Sequence, residues 1–129
     1  MSFYTDVKDF HTAFGQPVGT HPEIPKDNER ILRRKLLREE FDEYMQGEEK
    51  DDIVEIADAL ADIIYIACGT AVSYGIPLDK IWETVHNSNM AKLVDGKVLL
   101  RADGKIQKPE GWQPPNIEKI IKEHIYTGE

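Results

Sequence analysis

The chain has 129 residues, of which 40% are hydrophobic and 31% are charged, a composition typical of one soluble globular domain. Its formal net charge of −8 argues against a nucleic-acid polymer or an anionic membrane as the main partner. Cys68 is the single cysteine, and the sequence shows neither a long uncharged apolar run nor a signal-peptide pattern. We therefore expect a cytoplasmic protein whose partners include no nucleic-acid polymer and no membrane.

Helical patterns cover most of the length, so the expected fold class is all-α, a bundle of four to five helices. Ser2 is suited to cap the first helix, Gly47 reads as a stop signal for the second, and Gly75 ends the third. Pro77 opens the fourth helix. The third helix begins at Asp51 or Asp52, and Asp52 with Glu55 has the spacing of a capping box. The predicted ranges are residues 3–15, 27–46, 51 or 52 to 74, and 77–93.

Residues 94–129 are predicted to form a C-terminal arm on a single domain that spans residues 1–129. Two Asp-Gly pairs flank a β-prone run in this segment, which favours a small hairpin or an extended arm. Asn116 is placed to cap a short last helix. The basic residues of the arm, Arg101 and Lys108 among them, either contact a ligand or belong to an ordinary solvated hairpin.

Carboxylates are concentrated on the two central predicted helices. They form two groups, one on each helix: Glu39, Glu40 and Glu43, then Glu55, Asp58 and Asp62. At helical spacing each group projects from one side of its helix, and a short turn between the helices can bring the groups face to face. Because like charges repel, the arrangement predicts divalent cations between them, with Mg²⁺ as the first candidate.

The acids of helix 2 occupy positions where the local pattern predicts core residues. Leu32 and Leu36 lie on one stripe that continues into Glu39 and Glu43, and a second apolar face covers another side. We therefore expect this helix to be mostly enclosed, and an enclosed carboxylate has to be protonated, paired or metal-bound. The alternatives are a wet acidic surface, or neutralisation by the arginines and lysine at 33–38.

The pattern Glu-Glu-x-x-Glu, a spacer and Glu-x-x-Asp resembles the metal-binding signature of the all-α nucleoside triphosphate pyrophosphohydrolases. That superfamily includes MazG-like proteins, dimeric dUTPases and phosphoribosyl-ATP pyrophosphohydrolases. In this chain the signature consists of Glu39, Glu40, Glu43, Glu55 and Asp58. Residues 14–19 and 86–93 also fit the superfamily pattern, and residues 95–97 and 111–115 resemble its compact phage and bacterial branch. The resemblance covers nearly the whole chain and implies a MazG-like bundle.

The resemblance also implies an activity. A nucleoside or deoxynucleoside triphosphate would be cleaved between its α and β phosphates to the monophosphate and pyrophosphate, in nucleotide-pool control or house-cleaning. Mg²⁺, or Mn²⁺ in its place, would be the cofactor. The implied ligands are Glu40, Glu43, Glu55 and Asp58, with Asp62 as a supporting residue. Glu39 would either ligate a further ion or take a proton from the attacking water.

A separate set of residues is expected to contact the nucleotide. The set comprises Lys92, Asn89 and Arg101 for phosphates or sugar, Tyr65 as a hydroxyl donor, and Phe14 and Gln16 for the base. Phe14 is equally suited to a core position. The preferred base stays open, and phosphoribosyl-ATP is the less favoured substrate because of the additional C-terminal arm.

The apolar surface of these helices exceeds what one copy can bury. The second half of helix 3 has apolar or small residues on nearly every side, which predicts an interface with another copy. These residues are Ile63, Ile64, Ile66, Ala67 and Ala71. The resemblance likewise implies a homodimer or a homotetramer. Two other readings compete with the enzyme: a non-catalytic helical dimer or interaction module that senses nucleotide or metal, and a plain structural bundle.

Overall fold

The computed structural model describes residues 1–127, and this part of the chain folds into five helices without a β-sheet. The helices are, in chain order, α1 Phe3–Ala13, α2 Asp27–Glu49, α3 Ile53–Tyr74, α4 Leu78–Met90 and α5 Ile117–Thr127. The expected all-α fold is confirmed. The long helices α2 and α3 pack side by side, α1 packs on α3, and α4 contacts α5. None of the helices within residues 1–127 combines the length and apolar character of a membrane span.

Three predicted helix ends are found where the side chains favour them. The Ser2 hydroxyl accepts a hydrogen bond from the Thr5 N–H at 3.1 Å, and the Thr5 hydroxyl accepts from the Ser2 N–H at 2.9 Å. The Asp52 carboxylate accepts from the backbone N–H groups of the second and third residues of α3, both at 3.1 Å. Gly75 ends α3 in the left-handed region at φ +68°, which glycine adopts without strain. Local chemistry therefore fixes these boundaries.

The prediction that Gly47 stops α2 is wrong. The helix continues to Glu49, and the chain reverses at Asp51, whose φ is +52°. Gly47 is buried inside the helix, where an added Cβ would lie 3.0 Å from Cγ1 of Ile56. The glycine therefore allows the start of α3 to approach α2 closely. The fourth helix is also shorter than predicted, because α4 ends at Met90.

The small apolar core lies between α1 and α3, around Val7, Cys68 and Val72. Tyr4 and Leu78 pack against it. The loop at 16–23 covers the end of α3, since the Gly19 N–H donates to the Val72 carbonyl at 2.8 Å. This end of α3 is therefore enclosed by the chain itself.

The exposure of α3 varies along its length. The second half, where an interface with another copy is predicted, packs partly on α1 but leaves Ile64 and Ala67 exposed. The first half leaves Ile53 and Val54 exposed by 74% and 75%. On α2, which was expected to be mostly enclosed, the buried residues of the described chain are Arg33 and Gly47. The apolar faces of both helices are therefore largely uncovered in a single copy.

The C-terminal arm is extended. It contains two isolated antiparallel bridges, Val94 with Lys97 and Leu100 with Ile106, in place of a regular hairpin. The side-chain oxygen of Asn116 accepts from the Lys119 N–H at 3.1 Å and caps α5 as expected. The last two residues of the predicted arm, 128–129, lie outside the described residues.

Candidate metal and substrate site

The face of α2 that meets α3 is set by a spacing of seven residues, which is about two helical turns. Arg33 and Gly47 are both buried, and Glu40 lies midway between them in sequence. A residue seven positions from each shares their side of the helix, so Glu40 faces α3. The sequence thus places an acid in the middle of a helix–helix contact.

Three carboxylates converge there, and we call Glu40, Glu43 and Asp62 the carboxylate cluster. One oxygen from each lies within 4.8 Å of the others. Oε2 of Glu40 is buried and has no hydrogen-bond partner. Since buried polar atoms in folded proteins are nearly always bonded, this oxygen is available to a ligand.

The electrostatics of the cluster favour neutralisation. The pKa of Glu40 is raised to about 7, first by burial, then by a hydrogen bond with Glu43 and by the charges of Glu43, Asp62 and Asp58. The pKa of Asp62 is raised by burial and by the charges of Asp58 and Glu43. Near neutral pH the cluster therefore carries either a shared proton or a compensating cation.

A divalent cation fits this donor set better than a basic side chain does. None of the ion pairs found within residues 1–127 includes a member of the carboxylate cluster. Arg33, a candidate to neutralise the acids, instead donates to Thr70 Oγ1 at 3.1 Å and to the Ile66 carbonyl at 2.9 Å. Closely spaced carboxylate oxygens are the ligands that hard ions such as Mg²⁺ prefer.

The other acids of the predicted signature lie around the cluster. Asp58 is close enough for its charge to raise the pKa of both Glu40 and Asp62. Glu55 lies at the start of α3, with Oε2 at 3.8 Å from Nζ of Lys50. Glu39 is exposed on α2 and outside the three-carboxylate group. Asp62, expected only as a supporting residue, is a full member because its position on α3 faces Glu40 and Glu43.

An aromatic cluster forms between α1 and α3 and contains two of the predicted substrate residues. Phe14 stacks on Phe10 with ring centroids 4.3 Å apart, and Tyr65 meets Phe10 edge-on at 5.6 Å. Phe10 was not predicted, although its spacing of four residues from Phe14 places both on one helix side. Phe14 is 67% exposed, so the alternative of a core position is wrong. Exposed rings of this kind offer flat surfaces to a ligand or to another chain.

A groove of about 220 Å³ adjoins this aromatic cluster. It is lined by Phe3, Asp6, Val7, Ala61, Ile64 and Tyr65. Gln16 lies on the neighbouring loop, where its N–H donates to the His11 carbonyl at 2.8 Å and its side chain is exposed. The amide of Gln16 is therefore accessible to a ligand.

The predicted phosphate-binding residues are divided between two places. At the end of α4, Nζ of Lys92 donates to Oδ1 of Asn89 at 3.1 Å. The ring of Trp112 lies beneath this ammonium group, with its centroid 5.1 Å from Nζ. No role was predicted for Trp112 from the sequence. Arg101 is instead bound to Asp103 within the arm, and this contact lowers the pKa of Asp103.

Comparison with known proteins identifies the segment that carries these acids. The family model of phosphoribosyl-ATP pyrophosphohydrolase matches residues 7–89, which include both groups of carboxylates and the aromatic cluster. An uncharacterised protein of Acanthamoeba polyphaga mimivirus is 32% identical over 80 residues, which cover 59% of this chain and 32% of that protein. The chain thus spans about a third of the length of this curated relative. Lys92 and Trp112 lie beyond the segment that the family model matches.

Proposed function

The chain belongs to the phosphoribosyl-ATP pyrophosphohydrolase family, within the all-α nucleoside triphosphate pyrophosphohydrolases, and from this premise we propose a Mg²⁺-dependent nucleotide pyrophosphohydrolase. The substrate is a nucleoside or deoxynucleoside triphosphate, and cleavage between the α and β phosphates gives the monophosphate and pyrophosphate. The observation that carries the proposal is the carboxylate cluster between α2 and α3, with the unbonded Oε2 of Glu40 inside it.

The charge of the substrate makes a cation necessary. A triphosphate carries several negative charges at neutral pH, and the carboxylate cluster repels it. When bound, Mg²⁺ supplies the positive charge that neutralises phosphate oxygens and lowers the barrier to attack by water. The acids of this chain therefore bind the substrate through an ion and not directly.

Within this proposal the chain's own residues have separate tasks. Glu40, Glu43 and Asp62 hold the ion, and Asp58 adds negative charge beside them. Glu55 would be a further ligand if Lys50, 3.8 Å away, released it. Glu39 accepts the proton of the attacking water, since it adjoins Glu40 and is exposed to the solvent that supplies the water.

The base and the phosphates need other contacts. Phe14 and Tyr65 are proposed to contact the base next to the groove, with Gln16 as a hydrogen-bonding side chain. Lys92 and Asn89 are proposed to contact the phosphates from the end of α4. Arg101 reaches the substrate only if it leaves Asp103.

A second copy of the chain is part of the proposal. The acid-bearing side of α3 faces α2, whereas its apolar side, with Leu60 and Ile64, is exposed. Trp82 on α4 is also 69% exposed. Since such faces seldom stay open to water, we expect a homodimer or a homotetramer in solution. Light scattering coupled to size exclusion measures this directly, and a strict monomer at micromolar concentration would contradict it.

Pyrophosphate release provides the test of activity. The purified protein is incubated with Mg²⁺ and a panel that covers the common ribo- and deoxyribonucleotides, non-standard nucleotides and phosphoribosyl-ATP. At least one nucleotide is expected to yield the monophosphate and pyrophosphate, and a chelator should stop the reaction. Asp42→Asn, which neutralises an exposed acid on the same helix, is the matched control for Glu40→Gln.

The same nucleotide panel distinguishes the enzyme from the two alternative hypotheses, a sensor and a structural bundle. Absence of turnover on every nucleotide, with binding still detected by calorimetry, would favour a non-catalytic sensor. If Mg²⁺ and nucleotide also fail to raise the melting temperature, the chain is a structural bundle, because a ligand of the native state stabilises it.

A further inference from the structure

Trp112 brings together two lysines from different parts of the chain. Nζ of Lys92, at the end of α4, lies 5.1 Å from the ring centroid, and Nζ of Lys108, in the arm, lies 5.0 Å from it. Both distances are within the range of a cation–π contact. We call Lys92 and Lys108 the lysine pair. Neither the pair nor Trp112 falls within the segment matched by the family model.

Hydrogen bonds hold the ring in place. The indole N–H of Trp112 donates to the Ser88 carbonyl at 2.7 Å, and the Ser88 hydroxyl donates to the Gln113 carbonyl at 3.2 Å. These two bonds attach the arm to α4. The ring is therefore a fixed support on which a lysine of the arm meets a lysine of the helix.

The charge of the lysine pair is not balanced by acids. The chain has 24 Asp and Glu residues against 16 Lys and Arg, so carboxylate partners are plentiful. Even so, none of the ion pairs present in the described residues includes Lys92 or Lys108. Neither ammonium group is therefore neutralised by a carboxylate, and this favours the binding of an anion beside the ring.

We propose that Lys92 and Lys108, positioned by Trp112, bind the pyrophosphate portion of the substrate, the β and γ phosphates that leave together. Two neighbouring phosphates offer several anionic oxygens to two ammonium groups, and each contact is a charge-assisted hydrogen bond. Trp112 is a positioning residue that acts through the lysines. This assignment of Lys108 and Trp112 rests on the proposed function.

Calorimetric titration of the full chain with inorganic pyrophosphate tests the site without any turnover. A chelator removes divalent ions, and low ionic strength keeps surface charges unscreened. Lys108→Gln and Trp112→Leu are each expected to weaken pyrophosphate binding about tenfold, the loss of roughly one charge-assisted contact. Lys108→Arg, which keeps the charge and the cation–π contact, should bind within about twofold of the unaltered chain.

The control is Lys8→Gln, which removes the same charge from an exposed position on α1. It should leave the affinity within about twofold of the unaltered chain, since a single distant surface charge is largely screened. Circular dichroism melts of every variant show whether the fold is intact. If Trp112→Leu unfolds, Lys108→Gln still decides the question, because it alters only an exposed side chain.

The proposal is overturned if the unaltered chain does not bind pyrophosphate, or if Lys108→Gln binds as tightly as Lys8→Gln does. Glu40→Gln separates this outcome from failure of the proposed function. It should abolish hydrolysis while pyrophosphate binding persists. Binding that depends on Lys108, in a protein that hydrolyses no nucleotide, would keep the anion site and refute the enzyme.

Discussion

The α2·α3 interface holds polar groups at two places: Arg33, which is buried, and the carboxylate cluster, in which Glu40 and Asp62 are half-buried and Glu43 is exposed. At one place Arg33 is bonded to Thr70 and to the Ile66 carbonyl, so the chain satisfies its own cation. Two turns along α2, Glu40 meets Glu43 and Asp62 with no cation from the chain. Glu29 also has an unbonded oxygen, but its charge favours the ionised form of Arg33 nearby.

Polar groups that stabilise helix packing therefore differ from polar groups that are available to bind a ligand. A buried ion that holds helices together is bonded within the fold, because leaving it unpaired costs several kcal/mol. A cluster of like charges without a counter-ion lowers the stability of the native state. Such a loss of stability is typical of functional sites. Substitutions at the two places should therefore change the stability of the fold in opposite directions.

The largest effect is expected on activity. Glu40→Gln or Asp62→Asn should lower the rate of pyrophosphate release at least about a thousandfold, equivalent to about 4 kcal/mol of lost transition-state stabilisation. Initial rates at saturating Mg²⁺ provide the measurement, with Asp42→Asn as the control. Retention of a tenth of the rate by both variants would refute the assignment of the cluster.

Substitution of Arg33 is expected to lower the stability of the fold. Arg33→Met removes the hydrogen bonds to Thr70 and Ile66 and the positive charge near Glu29, which should cost about 3 kcal/mol of unfolding free energy. Urea denaturation followed by circular dichroism measures this value. A change smaller than about 0.5 kcal/mol would mean that the interface does not depend on the buried arginine.

Substitution of Glu40 is expected to raise the stability of the fold. Without metal, Glu40→Gln should stabilise the fold by about 1 kcal/mol at pH 8, because it removes like-charge repulsion. The sign follows from the pKa of Glu40, which is raised to about 7 in the folded chain. Between the unfolded pKa, near 4.5, and 7 the folded state binds more protons, so stability falls as the pH rises.

Paired urea titrations at pH 5 and pH 8, in a chelator, provide this measurement. The unaltered chain should lose more stability over the interval than Glu40→Gln loses. Equal losses in both proteins would show that Glu40 does not titrate in this range and that the cluster is not under electrostatic strain.

The smallest effect concerns Glu55, which the structure leaves next to Lys50. If Glu55 ligates the ion, Lys50→Gln frees it and should tighten Mg²⁺ binding about threefold, the scale of one exposed ion pair. Calorimetric titration with Mg²⁺ measures the change. An unaltered affinity would restrict the ligands to the carboxylate cluster and Asp58.

Much of the fold could be predicted because its signals are local. Ser2, Asp52, Gly75 and Asn116 act on neighbouring backbone groups, and each marks a helix end as expected. Gly47 could not be interpreted in this way. Its role depends on Ile56 across the turn, a contact that the local pattern does not contain.

The two acidic groups indicated a metal centre, and two members of the carboxylate cluster, Glu40 and Glu43, were among the predicted ligands. The apolar stripe of α2 reaches Glu43, a member of the carboxylate cluster, but it also contains Glu39, which is exposed and outside the cluster, and it does not contain Glu40. On α3, Asp62 belongs to the carboxylate cluster, whereas only a supporting role was expected for it. Which side of α2 faces α3 depends on how the two helices pack. Here that side is marked by the buried residues Arg33 and Gly47.

A crystal structure of the unaltered chain grown with Mn²⁺, with anomalous diffraction recorded at the manganese edge, is the most direct test of the account. We expect an anomalous peak between α2 and α3, coordinated by oxygens of Glu40, Glu43 and Asp62 at about 2.0 to 2.3 Å. Anomalous density only elsewhere in the molecule, with these three side chains turned apart into solvent, would contradict it.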